Sequence, residues 1–357
     1  MESILVNRHD LSETLLNDDG LMTLADGAVR LKVETFSVTA NNVTYAAIGD
    51  LFGYWNFFPA AGDMGIVPTW GHAVVEASNH VEISVGERVY GFLPMGTHLD
   101  VLPGDIGAGS FTDMAAHRQA MNPIYNQYGR LANDWEHDPA REGQRMVFGP
   151  LFKTGFLIEA MFRREGWFGA QTLLMTSASS KTSMSLASVA KDLSPTIKRI
   201  GLTSAQHVAF VESTGLYDDV IAYDEVASLP QTKSVCVDFA GNAALLYAIH
   251  ERLGDALAYT CRVGATHVSA LAGDPSIPMP GPEPIFFFAP DHAVITLQAL
   301  GPKAFAEAIG ASWHRFLGIV DGTVTIEERT GLTAAADTYL AILQGTSDPS
   351  VATIVRP

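Results

Sequence analysis

A strand, a turn of small residues and a helix follow one another within residues 172–191. The apolar run 173–176 predicts a strand, and residues 182–191 have the apolar spacing of a helix. A unit of this kind opens many nucleotide-binding sheets, because the N–H groups at the start of the helix can hold a pyrophosphate. The turn contains no glycine. Its serines and its lysine would therefore have to replace the glycines that usually form such a turn.

Small hydroxyl side chains and one cation fill this turn. A serine hydroxyl can donate to phosphate, and Lys181 places a positive charge where the helix dipole already favours an anion. The alternative is an ordinary helix N-terminus, capped by Ser179 or Ser180, with Lys181 merely exposed. The predicted cofactor-binding residues of the turn are Ser177, Ser179, Ser180, Lys181 and Thr182.

The end of the second predicted strand, 197–202, bears on the choice of cofactor. Enzymes that bind NAD usually have an acidic residue here for the ribose 2′-hydroxyl. This chain has Thr203, Ser204 and His207 instead, and no carboxylate between residues 201 and 207. The pattern favours NADP over NAD. Thr203 or Ser204 could equally be the N-cap of the next helix, and both interpretations can hold together.

Strands and helices alternate from residue 172 onwards, which predicts an α/β fold with a doubly wound parallel sheet. The first 120 or so residues are β-rich, and the polar stretch 127–145 is expected to be a surface excursion. The segment 273–284 is too rich in proline for a helix or an inner strand. We predict a β-rich domain over 1–150, completed by 300–357, and a nucleotide-binding domain over 151–299.

Composition narrows the possible partners. The chain has 357 residues, enough for two domains, and a net charge of −17. This charge argues against binding to nucleic acid or to anionic membranes, which require basic patches. Cys236 and Cys261 lie in apolar runs and are expected to be buried thiols. No signal peptide or transmembrane segment is visible, so a cytoplasmic protein is expected.

Several motifs together resemble the medium-chain dehydrogenase/reductase superfamily, in particular its zinc-free quinone and enoyl reductase branch. The turn 177–183 aligns with the glycine-rich finger of that branch, and 237–241 resembles its D-x-x-G motif. Similar stretches lie at 38–45, 67–91 and 332–345. The resemblance implies a GroES-like catalytic domain and a Rossmann domain, with Gly241 at the cofactor. It also implies a divergent branch known as a domain of unknown function.

The resemblance further implies an NADPH-dependent reductase that transfers hydride to an activated alkene or a quinone. Asn42 would contact the nicotinamide or the substrate carbonyl, and Tyr54 or Tyr45 would donate a proton. The substrate would be small and apolar, and a homodimer would form along the edge strand at 286–288. Two alternatives remain: a binding or scaffold protein that has lost the cofactor, or a lyase or hydrolase that uses the interdomain cleft. The aromatic residues around Tyr54 could also simply form a core.

No catalytic metal is expected. The region that carries the catalytic cysteine in zinc enzymes has Asn41 and Asn42 here, and Ala73 follows His72 where those enzymes have glutamate. Two cysteines cannot build a four-cysteine structural site. His72 is therefore interpreted as a structural histidine at the start of a strand.

Overall fold

The computed structural model describes residues 1–263 and 279–357, so residues 273–278 of the proline-rich segment lie outside the described part. The chain divides into two units. The first unit contains residues 1–147, 326–347 and 351–357, and the second contains 148–325 and 348–350. The sequence prediction placed a domain boundary at residue 150, and this division falls between residues 147 and 148. The predicted return to the first domain at residue 300 is wrong, because 300–325 group with the second unit.

An antiparallel sheet forms the body of the first unit. Among the described residues its order is β17-β18-β3-β5-β6-β10-β9-β8, with β7 also paired to β3, and a smaller sheet has the order β2-β1-β4. The strands of the first unit are β1 (Glu2–Asn7), β2 (Thr14–Asp18), β3 (Val29–Val38), β4 (Met64–Ile66), β5 (Pro68–Ser78), β6 (Arg88–Pro94), β7 (His98–Val101), β8 (Pro103–Gly104), β9 (Ser110–Asp113), β10 (Gln127–Arg130), β17 (Thr325–Thr330) and β18 (Val351–Arg356). Its helices are α1 (Ala40–Ala47), α2 (Gly49–Phe52) and α9 (Leu332–Leu343).

The polar stretch 127–145 is not a surface excursion throughout, which corrects the expectation from sequence. Residues 127–130 form β10, between β6 and β9, and the buried Tyr128 donates from its hydroxyl to the Phe92 carbonyl at 2.7 Å. Several charged side chains of the stretch are paired, as Arg130 Nε is with Glu87 Oε1 at 2.6 Å. Paired charges allow a polar sequence to run through a sheet.

A parallel sheet forms the body of the second unit. Among the described residues its order is β13-β12-β11-β14-β15-β16, and each neighbouring pair is parallel. The strands are β11 (Thr172–Met175), β12 (Lys198–Thr203), β13 (Asp219–Ala222), β14 (Ser234–Asp238), β15 (Leu257–Arg262) and β16 (Ile285–Phe286). The helices are α4 (Lys181–Leu193), α5 (Val208–Ser213), α6 (Ala243–Leu253), α7 (Ala289–Leu300) and α8 (Pro302–Val320). The predicted doubly wound α/β pattern is therefore confirmed.

Helix α3 (Glu142–Arg164) contains the division between the units. Within the second unit its Phe152 stacks on Phe316 of α8 at 5.3 Å between ring centroids, and Phe148 meets the same ring edge-on at 5.5 Å. Such aromatic contacts add to the burial of apolar surface. They explain why α8 belongs to the second unit, where the sequence pattern alone placed it in the first.

Candidate functional site

The turn between β11 and α4 contains no glycine, but its backbone adopts a conformation that glycine favours. Ser177 lies in the left-handed region, with φ of 48°, which glycine adopts at little cost and other residues rarely do. Its N–H donates to the Tyr223 hydroxyl at 3.0 Å, and its carbonyl accepts from the Ser180 N–H at 2.8 Å. These contacts hold the serine in the conformation expected of the first glycine of the finger.

A glycine on the neighbouring strand β12 makes room for the turn. A Cβ added to Gly201 would lie 2.8 Å from the Cβ of Ala178 and 2.8 Å from Cδ1 of Tyr217. The Ala178 N–H donates to the Leu202 carbonyl at 2.9 Å. Gly201 therefore allows the turn to lie directly against β12, a close approach that larger residues would prevent.

The start of α4 offers backbone N–H groups to an anion. Ser180 is the N-cap and its hydroxyl accepts from the Ser183 N–H at 3.3 Å. Among the described residues, the N–H groups of Ser179 and Thr182 have no hydrogen-bond acceptor. Unsatisfied N–H groups and the helix dipole favour an anion at such a position. This part of the turn therefore fits a phosphate group.

Lys181 is held inside the second unit. Its Nζ donates to the Pro349 carbonyl at 2.7 Å, so the alternative of a merely exposed lysine is wrong. Burial lowers the pKa of Lys181 to about 8, while the nearby Asp348 carboxylate acts in the opposite direction. The predicted pyrophosphate contact stays a prediction. It would require the ammonium group to share or exchange its bond to Pro349.

The end of β12 brings polar side chains together. Ser204 is the N-cap residue of the helical turn 205–207, but its side chain makes no capping hydrogen bond. Its hydroxyl oxygen is buried and has no hydrogen-bond partner among the described residues. A buried polar atom without a partner costs free energy, so this oxygen fits a polar group of a ligand. Thr203 is buried beside it, and His207 Nδ1 lies 3.4 Å from the Ser179 hydroxyl. Burial lowers the pKa of His207.

Gly241 lies in a turn that Asp238 organises at the carboxyl end of β14. One carboxylate oxygen of Asp238 accepts from the Thr176 hydroxyl at 2.7 Å and from the Gly241 N–H at 3.2 Å. Burial raises the pKa of this carboxyl. Since Thr176 directly follows β11, these contacts lie at the carboxyl edge of the parallel sheet, where ligands of such folds bind.

The predicted proton donors belong to a buried aromatic cluster of the first unit. The Tyr45 and Tyr54 rings lie 4.5 Å apart between centroids, and both side chains are almost fully buried. The Tyr45 hydroxyl accepts from Trp70 Nε1 at 3.2 Å, while the Tyr54 and Tyr125 hydroxyls lie 3.1 Å apart. Burial raises the pKa of both phenols, so each keeps its proton at neutral pH. Their role as proton donors stays a prediction.

Asn42 has a structural role, which corrects the expectation of a ligand contact. Its Oδ1 accepts from the Thr39 N–H at 2.6 Å and completes the N-terminal cap of α1. Its Nδ2 donates to the Pro68 carbonyl at 2.7 Å, and only 2% of the residue is exposed. Both the oxygen and the nitrogen of the side-chain amide therefore make hydrogen bonds within the first unit.

His72 is fully buried on β5, and its ring nitrogens have no hydrogen-bond partner among the described residues. Burial lowers its pKa to about 3, so the ring is neutral at neutral pH. Within the described ranges, no group of three or more His, Cys, Asp or Glu side chains could hold a metal ion. In the same ranges, no helix has both the length and the apolar character needed to cross a membrane.

Comparison with solved structures identifies the fold. CurA of Vibrio vulnificus, solved with NADPH, is 15% identical with a TM-score of 0.59, and covers 100% of this chain and 99% of its own. The yhdH oxidoreductase of Salmonella enterica, solved with NADP, is 14% identical with a TM-score of 0.56 and 100% coverage of both chains. A quinone oxidoreductase of Pseudomonas syringae gives 15% and 0.55, covering 100% and 99%. The chain therefore shares the fold of these three proteins.

A match to a family model shows which family the chain belongs to. Residues 36–348 match the model of a family described as a protein of unknown function, DUF2855, and the chain belongs to this family. No curated protein matches the sequence. The resemblance inferred from the motifs is therefore confirmed at the level of fold and family.

Several residues of the site escaped sequence reasoning. Gly201 and Tyr223 support the turn from outside it, and Asp348 acts on Lys181 through its charge. Tyr125 pairs with Tyr54 across 71 residues of chain. Only Gly201 had a local signal, as a glycine inside an apolar strand, which often marks a close approach of two backbones. The other contacts depend on tertiary structure.

Proposed function

We propose that this protein is an NADPH-dependent reductase that transfers hydride to an activated alkene or a quinone without a metal. The observation that carries the proposal is the turn before α4. Ser177 has the left-handed backbone of a glycine there, and the N–H groups of Ser179 and Thr182 lack acceptors among the described residues. The solved structures of similar fold that contain NADPH or NADP support the same cofactor.

The second unit would hold the cofactor by its phosphates. The N–H groups of Ser179 and Thr182 would bind the pyrophosphate at the start of α4. The buried Ser204 hydroxyl, which lacks a partner within the described residues, would donate to the 2′-phosphate, with Thr203 and His207 beside it. The end of β12 itself carries no carboxylate that would repel this phosphate. The turn at Gly241 would border the same edge of the sheet.

The bound cofactor supplies hydride, and the first unit would supply a proton. In an alkene conjugated to a carbonyl, hydride adds to the β-carbon and the α-carbon then takes a proton. A phenol from the set Tyr54, Tyr125 and Tyr45 would give this proton and regain one from water. In a quinone the same phenol would protonate an oxygen. A small apolar substrate suits the aromatic surroundings of these hydroxyl groups.

We also propose a homodimer along β16, which is an edge strand of the parallel sheet among the described residues. Ile285 is 51% exposed and Phe286 is 44% exposed on this strand, and Val294 of the following helix is 54% exposed. An apolar edge strand readily pairs with another copy of the same strand. Phe287 is not part of this surface, because it is buried and stacks on His292 at 4.2 Å between ring centroids. A cytoplasmic location stays a prediction from the sequence.

Calorimetric titration with NADPH and NADH tests the proposal, together with melting temperatures measured in each cofactor. We expect NADPH to bind more tightly than NADH, and the melting temperature to rise with NADPH because the ligand binds only the folded state. Oxidation of NADPH by a simple quinone or a conjugated enal then tests the reaction. Absence of binding to either cofactor would contradict the proposal and favour a scaffold protein that has kept the fold alone.

A further inference from the structure

A three-residue segment near the end of the chain belongs to the second unit, although the residues on both sides of it belong to the first. This segment is 348–350, and Lys181 Nζ donates to its Pro349 carbonyl at 2.7 Å. The Thr325 N–H donates to the Ser350 carbonyl at 2.8 Å. The Asp348 carboxylate accepts from the N–H and the hydroxyl of Ser350, at 2.8 and 2.6 Å. The segment is thus fixed beside the start of α4.

The segment brings a carboxylate to a place where the local sequence has none. Asp348 is exposed, and it interacts electrostatically both with Lys181 in the turn and with His207 after β12. Hydrogen bonds from Ser350 and the charge of Lys181 lower the pKa of Asp348, so it is ionised at neutral pH. His207 and Ser204 lie in the same short connection between β12 and α5.

We infer that Asp348 is a specificity-determining residue of the proposed cofactor site, where its carboxylate weakens the binding of a 2′-phosphate and so limits the preference for NADPH over NADH. The inference rests on the proposed function. A fixed negative charge near Lys181 offsets the attraction that the ammonium group offers to an anion, and it repels a second anion at short range. NADH has a hydroxyl at the 2′-position, so its affinity depends little on this charge.

The test compares the affinities of two variants for the two cofactors. Asp348→Asn removes the charge but keeps an oxygen that can accept from Ser350. Asp255→Asn is the matched control, because it removes an exposed carboxylate that precedes β15 and so lies at the opposite, amino edge of the sheet. Titration calorimetry at low salt measures NADPH and NADH binding to both variants and to the parent.

For Asp348→Asn we expect NADPH to bind about two- to fivefold more tightly, the range for one partly exposed charge pair, and NADH to bind as in the parent. Higher ionic strength should shrink the gain, since salt screens exposed charges. Asp255→Asn should bind both cofactors like the parent.

Either of two results with Asp348→Asn would overturn the inference. If Asp348→Asn binds NADPH like the parent, the carboxylate has no influence on the 2′-phosphate. If both cofactors gain or lose affinity together, Asp348 does not act on the 2′-phosphate in particular, and the inference is wrong. If the parent binds both cofactors but Asp348→Asn does not show the expected change in affinity, the inference is wrong and the proposed function stands. If the parent binds neither cofactor, both are wrong.

Discussion

Lys181 and Pro349 are 168 residues apart in the chain, and the lysine ammonium donates to the proline carbonyl at 2.7 Å. This bond ties the ammonium group of Lys181, in the turn before α4, to a segment near the end of the chain. The turn itself is therefore held by backbone geometry, by the N-cap Ser180 and by Gly201, while the lysine fixes the segment that carries Asp348.

Stability should depend on Lys181 at alkaline pH. This lysine loses its proton near pH 8 in the folded protein, against 10.5 for an ordinary lysine. Between these values the unfolded chain binds more protons, so the free energy of unfolding rises with pH over this range. Lys181→Met should remove this rise, which amounts to at most about 3 kcal/mol. Urea unfolding at several pH values between 8 and 10 measures it.

Lys191→Met is the matched control for this experiment, because Lys191 also donates to a carbonyl, that of Gly215 at 2.8 Å, but from an exposed position on the same helix. The control should keep the alkaline rise of the parent. If Lys181→Met keeps the rise as well, the ammonium group is not desolvated and its described environment is wrong.

Ser177→Gly should stabilise the protein. A residue other than glycine in the left-handed region carries strain, and glycine relieves it at the cost of a more flexible unfolded chain. We expect the free energy of unfolding to rise by about 0.5–1 kcal/mol. Ser177→Val should lower it, because a β-branched side chain tolerates this conformation poorly. Urea unfolding of both variants decides the matter, and a loss of stability in Ser177→Gly would argue against the backbone described for the turn.

Ser204→Asp should reverse the choice of cofactor. A carboxylate at the end of β12 would repel a 2′-phosphate and accept from a ribose 2′-hydroxyl, as in enzymes that bind NAD. We expect NADPH to bind at least about tenfold more weakly, equivalent to about 1.4 kcal/mol, and NADH to bind as well as before or better. Ser204→Ala separates the loss of the hydroxyl from the gain of charge. Calorimetry that finds an unchanged ratio of affinities in Ser204→Asp would place the 2′-phosphate elsewhere.

The second unit could be predicted from sequence far better than the site within it. Its inner strands are short apolar runs between helical patterns, so the predicted strands 173–176 and 197–202 and the predicted helix 182–191 agree with β11, β12 and α4 to within about two residues at each end. The left-handed Ser177 could not be predicted, because the Tyr223 hydroxyl that supports it lies 46 residues further along the chain. The expectation for Asn42 failed for a different reason. Its side chain completes a helix cap with Thr39, a local role that the family resemblance obscured.

The edge strand β16 gives a test of the proposed homodimer that distinguishes two neighbouring phenylalanines. Phe286 is 44% exposed, whereas Phe287 is 5% exposed. Phe286→Glu should therefore turn a dimer into a monomer while the melting temperature of the monomer stays close to that of the parent. Phe287→Glu should lower the free energy of unfolding by several kcal/mol, because it buries an unpaired carboxylate. Light scattering at micromolar concentration, with thermal unfolding beside it, measures both effects.

A parent protein that is monomeric under these conditions would contradict the dimer. If Phe287→Glu dissociates the dimer without loss of stability, the described orientation of the strand is wrong.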